Sequence, residues 1–364
     1  MAATDRSGRL RRWIHRLALM PHHTTETLQR LRAMEGTIEA IALSCRQPRP
    51  APAGRNPTAP LASPLAIYSG YDERDLEVFG PFRDIPRQPS PGCITNFLGV
   101  TMSTDYVKGS EPLGGTLLGV PVPDDGWHSE TIEWIGLLKS VTTARDRYVA
   151  LELGAGWGPW SVAGAAAARH LGIQDIHLHA VEADPGHFEF LLRHFQENHL
   201  DPAAHRLIQA AVGAEPGRAR WPKVENPADD WGSSPMEAGA SGQVDHIGRR
   251  FDEWMDVEIV GIRDLLAEQA VWDLVHIDVQ GWEVGICRAA IALMDEKVRW
   301  VVIGTHDSKL HGDLIDLFFQ QGWALENEKP PRFEWKQGAR SLVAMTTHDG
   351  TQVWRNLKWD RPAE

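Results

Sequence analysis

From residue 148 onward the chain alternates short apolar runs with amphipathic stretches at a regular interval, and few folds satisfy that alternation. Residues 148–153 form a continuous apolar strand that runs into a glycine cluster, and 160–169 read as a helix closed by Gly172. Residues 176–182 are the next strand, and Pro185 opens a helix through Asn198. Residues 207–212 read as a third strand, followed by a long polar insertion over 215–258 that carries Trp221, Trp231 and Trp254. Helices over 262–269, 282–293 and 313–320 then alternate with strands over 272–277 and 298–304. Residues 323–326 and 342–346 read as two closing strands, with Asp349–Gly350 as a tight turn. Strands that are apolar on both faces and separated by helices belong to a parallel sheet covered on both sides. The expected fold is therefore α/β, a Rossmann-like, doubly wound, seven-stranded and mostly parallel sheet.

The residues before that pattern differ in kind. Leu10, Trp13, Ile14 and Leu17 fall at helical spacing opposite Arg9, Arg12 and Arg16, and Leu31, Met34, Ile38, Ile41 and Cys45 repeat by threes and fours. The expectation is a helical N-terminal segment over 1–46 that docks on its own domain or pairs copies into a homo-oligomer, with a basic face able to touch anionic lipid as the alternative. Six prolines between Gln47 and Pro64 mark a linker over 47–66. Residues 67–146 read as an irregular, substrate-covering lead-in that ends in a helix capped by Ser129, with Ile132, Ile135, Leu138 and Val141 on one face. The sheet domain is expected over 147–356.

Composition removes several functions. Lys+Arg 37 against Asp+Glu 49 leaves a net charge of −12, which disfavours nucleic acid as a partner. No apolar run approaches the roughly 20 residues of a membrane span, and three scattered cysteines make neither a disulfide framework nor a zinc site. A cytoplasmic location is the expectation. The 15 tryptophans against only 4 tyrosines pose a separate question, because indoles wall ligand sites as readily as cores.

In a doubly wound sheet, ligands bind beyond the carboxyl ends of the strands. The first strand ends in Glu152-Leu153-Gly154-Ala155-Gly156-Trp157-Gly158, where position 159 is Pro. A dinucleotide fingerprint places its third glycine three residues after the second. Here it comes after two, the spacing used for S-adenosylmethionine. The second strand ends in Glu182-Ala183-Asp184, placing Glu182 to accept ribose hydroxyls and Asp184 to cap the next helix. The fourth ends in His276-Ile277-Asp278-Val279-Gln280-Gly281-Trp282-Glu283, and the fifth in Gly304-Thr305-His306-Asp307.

At these blocks, with Gly322-Trp323 following, the chain resembles the FkbM-type methyltransferases over about residues 147–356. The resemblance implies a class I, S-adenosylmethionine-dependent enzyme that methylates hydroxyl groups of sugars, glycans or glycosylated metabolites and releases S-adenosylhomocysteine. It implies a cofactor site at Glu152, Gly154, Gly156, Gly158 and Glu182, with Asp278 at the cleft, and Ala155, Trp157, Ala183 and Ala211 are further candidate cofactor contacts.

Methyl transfer needs a positioned acceptor and a group that removes its proton. His306 is the first candidate base, and Asp278 either orients it or is itself the base. Trp160, Trp231, Gln280, Trp282 and Asp307 are the candidate substrate contacts. Trp157, Trp160, Trp231 and Trp282 are expected at one rim, whereas Trp272, Trp300 and Trp323 belong to the core and Trp13, Trp134 and Trp254 need no functional reading. A divalent cation on Asp278 and Asp307 is a possible but unfavoured variant, and no metal is expected. Competing readings are a nicotinamide-dependent oxidoreductase and a non-catalytic scaffold with the same fold.

Overall fold

The computed structural model describes residues 69–120, 130–235, 249, 251–339 and 341–360. The expected N-terminal helices at 1–46, the proline-rich linker at 47–66 and Ser129 lie outside them. Seven strands make the main sheet: β1 (Arg147–Leu153), β2 (Asp175–Glu182), β3 (Arg206–Gln209), β4 (Trp272–Ile277), β5 (Val298–Thr305), β6 (Ala324–Lys329) and β7 (Gly350–Arg355). Their spatial order is β6-β7-β5-β4-β1-β2-β3. All are parallel except β7, which lies antiparallel between β5 and β6. The expected seven-stranded, mostly parallel and doubly wound sheet is present.

Helices cover both faces: α1 (Thr131–Thr143), α2 (Pro159–His170) and α3 (Pro185–Glu197) on one, α4 (Ile262–Ala267), α5 (Glu283–Lys297) and α6 (Ser308–Gln320) on the other. Period-two alternation divides the strands between two cores. Tyr148 and Ala150 enter the core with α1–α3, while Val149, Leu151 and Leu153 enter that with α4–α6. Gly136 of α1 lies so close to the sheet that a Cβ there would meet Val302 at 2.6 Å and Val353 at 3.0 Å. The lead-in supplies a 3-10 helix over Asp75–Phe82 and a two-stranded ladder of Cys93–Thr95 with Thr101–Ser103, and its Phe79, Phe82, Ile94, Phe97 and Tyr106 join the α1–α3 core.

The helix α1 opens on Glu130, whose side chain and that of Glu133 form a reciprocal capping box. Three local expectations are corrected. The run 207–212 is two strands, because after Gln209 the chain leaves the main sheet and Ala211–Gly213 pairs with Trp254–Gly261. Gly217–Pro222 pairs with the same central strand, so the ends of the polar insertion form a three-stranded sheet. The last strand is Gly350–Arg355; residues 343–345 are a 3-10 turn and Thr346–His348 pairs with Arg332–Phe333. Gly350 pairs with Thr305 at the carboxyl end of β5, so an antiparallel strand delivers Asp349 to the edge where the parallel strands end.

Candidate active site

A cavity of about 760 Å³ opens along that edge. This is within the ordinary size range of small-molecule sites. Its lining includes Glu152, Gly154, Ala155, Gly156, Trp157, Trp160, Glu182, Ala183, Ala211, Trp231, Asp278, Gln280, Trp282 and His306. Of the residues singled out from sequence, Gly158 and Asp307 are not among the lining residues. A Cβ at Gly158 would meet Leu191 of α3 at 2.3 Å, so the third glycine serves helix packing. The Asp307 carboxylate caps α6, accepting from Leu310 N at 2.7 Å. The cation pair of Asp278 with Asp307 is therefore not assembled around the cavity.

The glycine turn is shaped by its neighbours. Gly154 and Gly156 have φ of +72° and +55°, a region open to glycine and strained for side chains. A Cβ on Gly154 would sit 1.8 Å from the Asp278 carbonyl oxygen, so the β1 and β4 loops touch through backbone alone. The buried Glu152 carboxylate accepts from Trp160 N and Ser161 N at the start of α2, and burial raises its pKa despite those bonds and nearby His276. Glu182 accepts from Gly156 N and Asp184 N, both at 2.8 Å. A carboxylate has about four lone-pair positions, so capacity remains. Asp184 caps α3 through Gly186 N and His187 N, as expected.

The indoles separate by environment. Trp231 stacks on His187 at 4.0 Å and meets Trp157 edge-on at 4.7 Å, forming one wall. Trp160 is buried against Trp134 and His276, each at 5.1 Å, and only borders the cavity. Trp282 is half-exposed at the mouth. Trp272, Trp300 and Trp323 are core, as expected, whereas Trp221 also lines the cavity.

The opposite end of the cavity is polar. In the turn after β4, Gln280 is a non-glycine at φ +53°, and its Nε2 donates to Asp278 Oδ1 at 3.2 Å. Such a strained residue is retained where the surroundings over-determine it. His306 follows β5 directly, with Nε2 3.2 Å from Asp278 Oδ1 and Nδ1 2.9 Å from Glu283 Oε1. Burial alone lowers the His306 pKa, but Glu283 and then Asp278 overcome it and hold the imidazole well above its ordinary value. Asp278 is held below the usual carboxylate range, since His306 and His276 outweigh its burial. Asp278, Glu283 and His306 have donor atoms within 4.8 Å of one another. The two carboxylates approach opposite nitrogens of the ring.

Glu133, Glu283, Lys329 and Asp349 were not singled out from sequence. Glu133 pairs with His276 at 3.4 Å and Lys329 with Glu130; each pair joins groups far apart in the chain. Glu283 stands in the block after β4 but reads there as an ordinary acid in a first helical turn.

A protein of Jannaschia sp. (strain CCS1), provisionally described as a methyltransferase, is 31% identical over 242 residues, spanning 66% of this chain and 85% of that protein. The chain belongs to the methyltransferases. No family model matches this methyltransferase. Among solved structures, the precorrin-6y C5,15-methyltransferase of Geobacter metallireducens GS-15 aligns with a TM-score of 0.35 and 11% identity over 64% of this chain and 91% of that one. The C-terminal domain of the Rhodobacter capsulatus precorrin-6Y C5,15-methyltransferase aligns with a TM-score of 0.34 and 13% identity over the same shares. Among the described residues, no helix of the methyltransferase is long and apolar enough to cross a membrane.

Proposed function

We propose that this methyltransferase uses S-adenosylmethionine to methylate a hydroxyl group of a sugar, glycan or glycosylated metabolite, as the FkbM-type resemblance implies. The observation that carries the cofactor reading is the cradle at β1. Gly154 and Gly156 leave room where side chains would intrude, and the Glu182 carboxylate borders the same space with unused acceptor capacity. Glu182 would hold the ribose, the glycine turn the aminoacyl end, and Ala183, Ala211 and Trp231 the adenine. S-adenosylmethionine supplies an electrophilic methyl group on a good leaving group.

The chain's own residues must orient the acceptor and take its proton. Glu283 and Asp278 flank the His306 ring and favour its protonated form, which makes it the poorer proton acceptor of the pair. Asp278 is ionised and borders the cavity, and it is the proton acceptor of this reading. A weak base suffices, because an alcohol oxygen becomes strongly acidic as it is alkylated. Half-exposed Trp282 at the mouth offers a flat apolar surface to the C–H faces of a sugar.

Calorimetry with S-adenosylhomocysteine tests the cofactor reading. Saturable one-to-one binding that is lost in Gly156→Val is expected. Absence of binding to the wild-type protein, or retention of NAD in its place, would overturn it.

A further inference from the structure

Three ionisable groups run inward from the cavity in series. Asp278, with its side chain 38% exposed, and the more buried His306, at 4%, both border the cavity; Glu283, at 0%, lies behind His306 and outside the lining. Glu283 Oε1 accepts from Val279 N at 3.2 Å and Gly281 N at 3.1 Å, both in the turn that carries Asp278. The same oxygen is the one 2.9 Å from His306 Nδ1, on the neighbouring strand end. One buried carboxylate thus ties the Asp278 turn to the imidazole. Its second oxygen, Oε2, and His306 Nδ1 are both buried without a hydrogen-bond partner, so the close approach of ring and carboxylate at 2.9 Å is an ion-pair contact that offsets the buried charge.

We propose that Glu283 is the positioning residue of this methyl-transfer site, fixing the His306 ring so that Nε2 stays against Asp278 and Asp278 stays turned to the acceptor. The role assigned to the acceptor rests on the methyltransferase reading above; the coupling of Glu283 to His306 and Asp278 does not. With Glu283 in place, the ring is held between two anions as a fixed cation behind the proton-accepting carboxylate. Without its charge, the ring is free to become neutral, and Asp278 loses its cationic partner. Asp349, ahead of β7, also faces His306, while Glu133 on α1 and His276 on β4 complete the charged surroundings.

The test uses the full chain with Glu283→Gln and Glu283→Asp. Glu283→Gln keeps an oxygen for the two backbone donors but removes the charge. Its kcat is expected to fall on the order of tenfold, as for loss of the ring it positions, with KM for both substrates changed less than about threefold. The alkaline limb of its pH–rate profile should move to lower pH, because a His306 cation with one anion fewer gives up its proton sooner. Glu283→Asp should restore part of both properties. Nitrogen-15 NMR of the His306 ring, assigned by its absence in His306→Gln, reads the coupling without turnover. In the wild-type protein both nitrogens should stay protonated beyond pH 7, and in Glu283→Gln the transition should fall. A folded Glu283→Gln with native kcat and an unmoved limb overturns the proposal, and so does a wild-type ring that is neutral at pH 7. If S-adenosylhomocysteine does not bind the wild-type protein, the methyltransferase reading fails, and the NMR titration still decides the coupling.

Discussion

Asp278 occupies the position where the requirements of the site converge, and His306 stands one layer behind it. The identities of both were legible in the sequence, since each ends a strand at the ligand-binding edge. Their order was not, because it depends on Glu283, whose spacing alone makes it a helix-opening acid and nothing more. An imidazole with one carboxylate neighbour near water is a base; one buried between two carboxylates holds its proton. The two residues should therefore fail differently. Asp278→Asn is expected to lower kcat by about 100-fold or more, since the acceptor's proton has no destination at that atom. His306→Gln, which keeps an amide donor toward Asp278, should lose less, on the order of tenfold. Steady-state kinetics at saturating cofactor separates them. A His306→Gln that is more impaired than Asp278→Asn would return the imidazole to the role of base.

At the scale of elements, the long runs were legible and the junctions were not. The strands β1, β4 and β5 and the second half of β2 are buried on both faces, and the runs of Val, Ile, Leu and Ala they contain mark them in the sequence. The last strand, Gly350–Arg355, contains Thr351, Gln352 and Arg355 and follows a turn signal, which disguised it. Its polar groups find partners only in three dimensions, as when Gln352 donates to the His311 carbonyl oxygen at 2.8 Å. The glycine turn was read as a ligand-binding device, yet its three glycines serve different neighbours. Gly154 admits the β4 loop, Gly156 borders the cavity and Gly158 admits Leu191. Gly154→Ala should then both destabilise the protein by about 1–3 kcal/mol and displace the Asp278 loop, because the new Cβ meets backbone that has little room to yield. Asp184→Ala removes only a helix cap and should lose about 0.5–2 kcal/mol. Urea unfolding compared with S-adenosylhomocysteine affinity tells them apart. Gly154→Ala should lose both stability and affinity, whereas Asp184→Ala should lose stability with affinity changed less than about threefold. Equal losses of affinity would show that the loop contact at Gly154 has no special place in the site.

At the scale of the molecule, the sheet divides two cores, and each carries a buried histidine that neither catalysis nor cofactor binding uses. His194 of α3 lies in the α1–α3 core beneath the glycine turn, where its Nδ1 donates to the Trp157 carbonyl oxygen at 2.9 Å and burial lowers its pKa to about 4. His179 of β2 packs edge-on against Trp272 at 4.7 Å in the other core, and burial, opposed by Glu268, lowers its pKa to about 4. In the unfolded chain both titrate near 6.5. Between about 6.5 and 4 the unfolded chain therefore binds more protons than the folded protein, so stability falls as pH falls through that window. Glu152, Asp184 and Asp273, whose carboxyls are raised by burial, act in the opposite direction at the acidic end. Substitution isolates the histidine contribution. Between pH 6.5 and pH 5, each histidine should account for about 2 kcal/mol of lost stability. In His179→Gln/His194→Gln, whose amides do not titrate, the acid-induced loss in unfolding free energy should shrink by about the sum of the two. If the double variant loses as much stability as the wild-type protein over that range, these two histidines titrate normally in the folded protein and the acid-induced loss arises elsewhere.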